Sequence, residues 1–270
     1  MSARWRGPAK LAAGIVPALA ILVLAVWEVF ATLAVPARVA TDADWAAAEA
    51  EVRAGFQAGD LIVFAPRWVD PVGRLHLGDL IPVDVAGRMD AARFARIWEV
   101  SIRGARAADA RGARVTSSRS HGGVHVRLLE QTPARVRTDF VAAFAAARSS
   151  GASAGAGPIL EEVGFQPHRC IRIEPPAGGS GKLTWPAAEL GSKLVGHVGL
   201  ADVFTRRAIR GPGKLELLIG GKSVATTVVG VDSGWVRFEV ATTPGPAEVT
   251  FIASAKDPRR LICFAAEARE

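Results

Sequence analysis

The densest set of residues able to do chemistry lies between Arg67 and Asp79, in the run Arg-Trp-Val-Asp-Pro-Val-Gly-Arg-Leu-His-Leu-Gly-Asp. Asp70, Arg74, His76 and Asp79 supply two carboxylates, a guanidinium and an imidazole. The run follows Leu61-Ile62-Val63-Phe64, a continuous apolar stretch of the kind that forms a strand buried on both faces. Ligands of α/β sheets gather beyond the carboxyl ends of such strands. The segment therefore reads either as a ligand loop using those four residues or as an ordered loop whose charges pair with one another. Two Asp and one His without a further ligand make a poor metal site. His121 and His125, flanking Gly122-Gly123, are an equally thin set. No metal and no cofactor is expected.

Motifs for covalent or phosphoryl chemistry are missing. Gly181-Lys182 is followed by Leu183 and has Pro176 where a phosphate-binding loop needs its first glycine. Gly221-Lys222-Ser223 has Glu216 at that place. There is no Gly-x-Ser-x-Gly elbow, and neither cysteine has a protease context. Glu161-Glu162 are adjacent in sequence and do not make a glycosidase pair on that ground. Catalysis has no positive support. The net charge of +7 comes from 27 Arg and 6 Lys set against 26 acidic residues. The Arg residues are scattered among Asp and Glu with no basic run interleaved with aromatics, which argues against nucleic acid.

Leu11–Val35 is apolar apart from Glu28 and Thr32, and a bilayer core needs about 20 such residues. Arg4, Arg6 and Lys10 precede it; Arg38, Asp42 and Asp44 follow. The positive-inside rule puts the N-terminus in the cytoplasm and the bulk of the chain in the periplasm, anchored in the inner membrane. The alternative is a secreted chain cleaved near Ala37, after Val35-Pro36. Glu28 sits at headgroup level or meets a partner helix.

The exported part divides by period. Thr41 to Asp44 has capping-box form, and Trp45, Ala48, Val52 and Phe56 share one helical face up to Gly59. Trp98, Val100 and Ile102 alternate with polar residues, as do Val124, Val126 and Leu128 after Gly122-Gly123. Thr132-Pro133 predicts a second helix with Val136, Phe140 and Phe144 on its apolar face. Residues 41–148 thus read as a small α/β domain. Ser149 to Pro158 reads as a flexible linker. Over 159–270 the period is two: Leu215, Leu217 and Ile219 run into Gly220-Gly221, Val224 to Val229 returns, and Val236, Phe238 and Val240 alternate. Seven or eight short strands with Gly/Pro turns predict an all-β sandwich. The whole is α+β: residues 1–37 as tip and membrane helix, then the α/β domain, then a jelly-roll sandwich.

Two resemblances accompany this reading. Asp44-Trp45, Gly59-Asp60-Leu61-Ile62-Val63, Arg96-Ile97-Trp98-Glu99-Val100 and Gly122-Gly123-Val124-His125-Val126 resemble the soluble exported domain of bacterial glycosyltransferases of the dolichyl-phosphate-mannose mannosyltransferase type. That family's catalytic acidic residues lie in a many-helix membrane part. With one membrane helix here, the resemblance implies a stand-alone relative of the accessory domain. Val195-Gly196-His197-Val198-Gly199-Leu200-Ala201-Asp202, Gly213 to Lys222 and Gly234-Trp235 resemble jelly-roll carbohydrate-binding modules of the galactose-binding-like and NPCBM kind. Gly220-Gly221 stands where that family has Asp-Gly, and its tyrosines are absent. The resemblance implies a sugar site using Trp185, Trp235, His197, Arg206 and Arg207; the alternative is that both tryptophans pack against the rest of the chain. First and last strands of jelly rolls are commonly neighbours, so Cys170 and Cys263 are expected as a disulfide or as two buried thiols. The leading functional expectation is carbohydrate-related binding or an accessory role in envelope glycosylation. The alternative is a non-catalytic scaffolding protein contacting another envelope protein.

Overall fold

A computed structural model describes residues 8–34, 39–151, 155–201 and 211–270. It begins with α1 (Pro8–Ala34), which carries Pro17 inside it. Its stretch Val16–Ala34 is long and apolar enough to cross a membrane, and none of that stretch is buried against the rest of the chain. Val35, the expected end of the apolar segment, lies outside the described residues.

The α/β part opens with α2 (Asp42–Gly55). Thr41 and Asp44 form a reciprocal capping box: the Asp44 carboxylate accepts from Thr41 N at 2.9 Å, and Thr41 Oγ1 accepts from Asp44 N at 3.3 Å. The helix ends at Gly55, four residues before the Gly59 expected to stop it; Gly59, at φ 94°, instead turns the chain into β1 (Leu61–Ala65). Then come α3 (Asp70–Leu77), the single turn α4 (Val83–Ala86), β2 (Arg96–Ile102), β3 (Arg114–His121) and β4 (Val124–Glu130). The strands form one sheet in the order β1-β2-β4-β3, with β1 parallel to β2 and the other pairs antiparallel. All of β1 is buried, as its unbroken apolar run requires. One face of the sheet packs Ile62, Phe64, Trp98 and Val100 against Trp45 and Val52 of α2; the other packs Leu61, Val63, Ile97 and Leu129 against Ala91 and Ala110.

The helix expected from Thr132-Pro133 does not form. β5 (Val136–Asp139) pairs with the last strand instead, Phe140 enters the sandwich core, and Phe144 opens a short 3-10 turn. The physical reason is an available edge on the last strand: ladder hydrogen bonds and a core site for Phe140 outweigh a weak local preference for helix. The expected linker is strand at both ends. β6 (Arg148–Ser150) pairs with β9 (Ser180–Leu190), and β7 (Gly157–Val163) pairs with β8 (Gln166–Ile173). By pairing, the sandwich therefore begins at Val136.

It continues through β10 (Lys193–Leu200), β11 (Gly213–Ile219), β12 (Lys222–Val229), β13 (Val236–Ala241), β14 (Gly245–Ala255) and β15 (Ile262–Arg269). Two sheets face each other, one ordered β13-β10-β15-β8-β7 with β5 also on β15, the other β12-β11-β14-β9-β6. Leu183, Leu194, Leu217, Phe251 and Phe264 belong to the core between them. The hairpin β11–β12 turns on Gly220 (φ 56°) and Gly221 (φ 76°), the positive-φ pair that a two-residue turn requires. Every residue of β15 is buried, because the core covers one face and the α/β part covers the other.

Candidate functional site

The residues between Arg67 and Asp79 do not converge. They form a 3-10 turn followed by α3, so the expected loop is a helix. Asp70 accepts from Arg74 Nε at 2.5 Å, one helical turn on. Both Asp79 carboxylate oxygens accept from the Arg53 guanidinium at 2.8 Å. His76 stacks on Trp45 with centroids 5.8 Å apart, and its Nδ1 is 3.0 Å from Glu49 Oε2. The Arg53 guanidinium holds the Glu49 carboxyl below its ordinary range, with His76 adding to the effect; Arg53 does the same for Asp79. These groups fasten α3 to α2. His121 and His125 also separate: one bonds Glu51 at 2.5 Å, the other Ser120 at 2.7 Å. Among the described residues no group of three or more His, Cys, Asp or Glu could hold a metal ion.

Of the residues expected to hold sugar, Trp185 is a core residue. It is 2% exposed, meets Phe140 and Phe251 edge-to-face, and donates from Nε1 to Ala143 O at 2.9 Å. Arg206 and Arg207 lie outside the described residues. His197 and Trp235 do come together, with a third residue that sequence reasoning missed, His168.

The indole of Trp235 stacks on His168 with centroids 4.4 Å apart and planes 10° apart, and on His197 at 5.7 Å and 5°. β8 and β10 flank β15 on opposite sides, roughly 10 Å apart at two strand spacings. That separation fits an indole lying between the two imidazoles. Gly199 makes the room, since a Cβ there would lie 3.3 Å from the indole and 2.3 Å from Val163. The Cys170–Cys263 disulfide, Cα–Cα 5.6 Å, joins β8 to β15 in the cluster that Trp235 packs against. His168 is 6% exposed and His197 7%. Neither ring nitrogen of His168, nor His197 Nδ1, nor Trp235 Nε1 has a hydrogen-bond partner. The Arg88 backbone faces His168 without meeting hydrogen-bond geometry. Burial pushes both imidazoles down to about 4. Both are neutral at neutral pH.

An ion network covers the same sheet face beside the stack. Arg269, 3% exposed, donates to both oxygens of Asp90 at 2.9 Å and to Glu267 at 2.7 Å. Arg93 donates to Glu267 at 2.7 Å and to Asp139 at 2.5 Å. Burial pushes the Asp90 carboxyl up, but the Arg269 guanidinium prevails and holds it below its ordinary value. Arg169 N donates to Gly87 O at 2.6 Å, closing the seam between the two parts.

A cleft of about 450 Å³ lies at one end of the sandwich, between the start of β11 and the end of β14. Gly178, Gly179, Gly211 and Gly213 leave it room, Pro212, Val228 and Ala255 give it apolar walls, and Lys214, Ser254 and Lys256 are its polar side chains. Lys214 Nζ lies 3.4 Å from Glu216; Lys256 is exposed and makes no ion pair with a described residue. Among the described residues no carboxylate is part of the lining itself, but Asp257 Oδ2 accepts from the N–H of Gly211 at its edge. The only sequence signal for this cleft was glycine spacing, which does not say that Gly178-Gly179 and Gly211-Gly213 meet.

No protein-family model matches the chain, and no curated protein does. Among solved structures, it is similar to the family 51 carbohydrate-binding module from Clostridium perfringens GH95 in complex with methyl-galactose. Identity is 10% over 44% of this chain and 92% of that one, with a TM-score of 0.34. It is similar to a family 61 carbohydrate-binding module in complex with β-1,4-galactotriose, at 15% identity over 50% of this chain and 99% of that one, TM-score 0.35. It is also similar to the K3 cleaved adhesin domain of Lys-gingipain from Porphyromonas gingivalis, at 11% over 50% and 98%, TM-score 0.36. The glycosyltransferase resemblance of residues 41–150 finds no support in these comparisons.

Proposed function

We propose that this chain is a membrane-tethered envelope protein that binds an acidic glycan in the cleft at the end of its sandwich. The observation that carries the reading is the cleft itself. Its apolar walls and few placed polar groups have the form of a small-ligand site. Lys214 is paired with Glu216, so Lys256, which makes no ion pair with a described residue, is the group that favours an anionic ligand over a neutral one, and Ser254 can bond a hydroxyl. The sequence resemblance of residues 195–235 to galactose-binding-like modules narrows the ligand to a saccharide. α1 supplies the tether, and the charges around it set the N-terminus in the cytoplasm and the rest in the periplasm. An accessory role in envelope glycosylation rests only on the sequence resemblance of residues 41–150.

The test is thermal unfolding of the detergent-solubilised chain with uronic-acid oligosaccharides and with neutral ones. Binding to the folded state raises Tm by mass action. Acidic oligosaccharides are expected to raise it and Lys256→Glu to abolish the rise. A flat response to both sets removes the glycan reading. It would leave the scaffolding alternative, which one observation favours: His197 and Trp185 are buried in packing. On that alternative Glu28, exposed on α1, is the residue to meet a partner helix.

A further inference from the structure

The outer face of α3 is apolar where a surface helix is ordinarily polar. Val69, Gly73 and Leu77 face inward; a Cβ on Gly73 would lie 2.1 Å from the Phe64 ring, so this side is held tight against β1. Val72 and Leu75 on the opposite side are 41% and 83% exposed, and Trp68, in the 3-10 turn that leads into α3, is 61% exposed. Val83, which opens α4, is 64% exposed. Arg103 lies over the Trp68 ring, 5.7 Å from its centroid, and Arg67 precedes it. Leu, Val and Trp bordered by Arg is the composition of a helix lying in a membrane interface, where the indole sits at headgroup level and guanidinium groups meet anionic lipid.

Chain length says what this face can reach. Only residues 35–40 separate the end of α1 from Thr41, and six residues span at most about 20 Å. Ala40 is already fixed on the α/β part, packed where a Cβ on Gly123 would lie 3.0 Å from it. Trp45, in the first turn of α2 beyond that point, stacks on His76, the neighbour of Leu75. The C-terminal end of α3, which carries Leu75, thus packs one helical turn along α2 from the place where the chain arrives from α1.

We infer that the outer face of α3, with Trp68, Val72 and Leu75, docks on the outer leaflet of the membrane that α1 spans. It holds the α/β part flat on the bilayer. The inference rests on the tether reading of α1. Its test keeps the two apart, because each element carries its own tryptophan: Trp27 is 72% exposed on α1 and Trp68 lies on the docking face.

The experiment uses the full chain in phosphatidylcholine–phosphatidylglycerol nanodiscs, with and without dibrominated acyl chains that quench indole emission on contact. The chain, Trp27→Phe, Trp68→Phe and Leu75→Asp are compared. The expected result is quenching that falls in part in Trp27→Phe and again in part in Trp68→Phe. Leu75→Asp should lose the Trp68 share and keep the Trp27 share. Quenching that Trp68→Phe leaves unchanged overturns the docking while leaving the tether in place, and assigns the face to a protein partner. No quenching in any variant overturns the tether and the docking together.

Discussion

The α3 segment and the ring stack on the six-stranded sheet hold similar side chains and treat them in opposite ways. In α3 every titratable group has a partner on the surface: Asp70 has Arg74, Asp79 has Arg53 and His76 has Glu49. In the stack, His168 and His197 are buried with flat contacts to an indole, and both ring nitrogens of His168 and Nδ1 of His197 find no hydrogen-bond partner among the described residues. The difference follows from which surface each element presents. The polar flanks of α3 stay in solvent, so charges there cost little and pair loosely. The outer face of β15 is roofed by the α/β part, so its neighbours must be neutral or fully paired. A cluster of chemical side chains in sequence therefore says little about a site until the covering surface is known.

The strongest way to break this contrast is Arg269→Ala. It leaves Asp90 and Glu267 facing each other under the roof, and loss of one partner of a buried ion pair costs about 3–5 kcal/mol. Denaturant unfolding should show a lower midpoint of that size. An unchanged midpoint would mean the roof is not closed.

The next test is acid. The folded imidazoles titrate at about 4 and unfolded histidine at 6.5, so the unfolded chain binds more protons between those values. Stability is complete above pH 6.5 and falls as the pH drops towards 4. At 1.36 kcal/mol per pKa unit, each imidazole accounts for about 3 kcal/mol at the acid end. Burial opposes protonation of both most strongly; His197, Arg67 and Arg88 add to it at His168, and at His197 Arg237 and Arg269 add to it while Asp90 and Asp109 favour the charged ring. His168→Phe keeps a ring against Trp235 and removes one titrating group. Its stability at pH 7 should be retained and its acid slope should become shallower. A slope equal to that of the parent chain would place the acid sensitivity elsewhere.

The smallest effect sharpens the other side of the comparison. Asp79→Ala removes an exposed partner of Arg53, which keeps Glu49. Tm should hardly move, and any dependence on salt should weaken. A large drop in Tm would show that the α3 network carries stability its exposure does not suggest.

The sequence by itself determined what short-range physics decides. The capping box at Thr41 and Asp44, the buried run Leu61–Phe64, the glycine turn at 220–221 and the apolar helix before residue 35 all depend on neighbours within a few positions. The strand period likewise made the fold class legible. Only the tertiary structure decided where the candidate site residues went. Thr132-Pro133 offered a helix start, but the edge of β15 claimed Val136–Asp139 as a strand. Glu267 and Arg269 are 5% and 3% exposed because a separate part of the chain packs over them. His168 shares a strand face with Cys170 by simple alternation; that Trp235 would stack on it depends on β8, β10 and β15 lying side by side. Pairing between distant segments is selected by which edges and faces remain uncovered, and no local pattern records that.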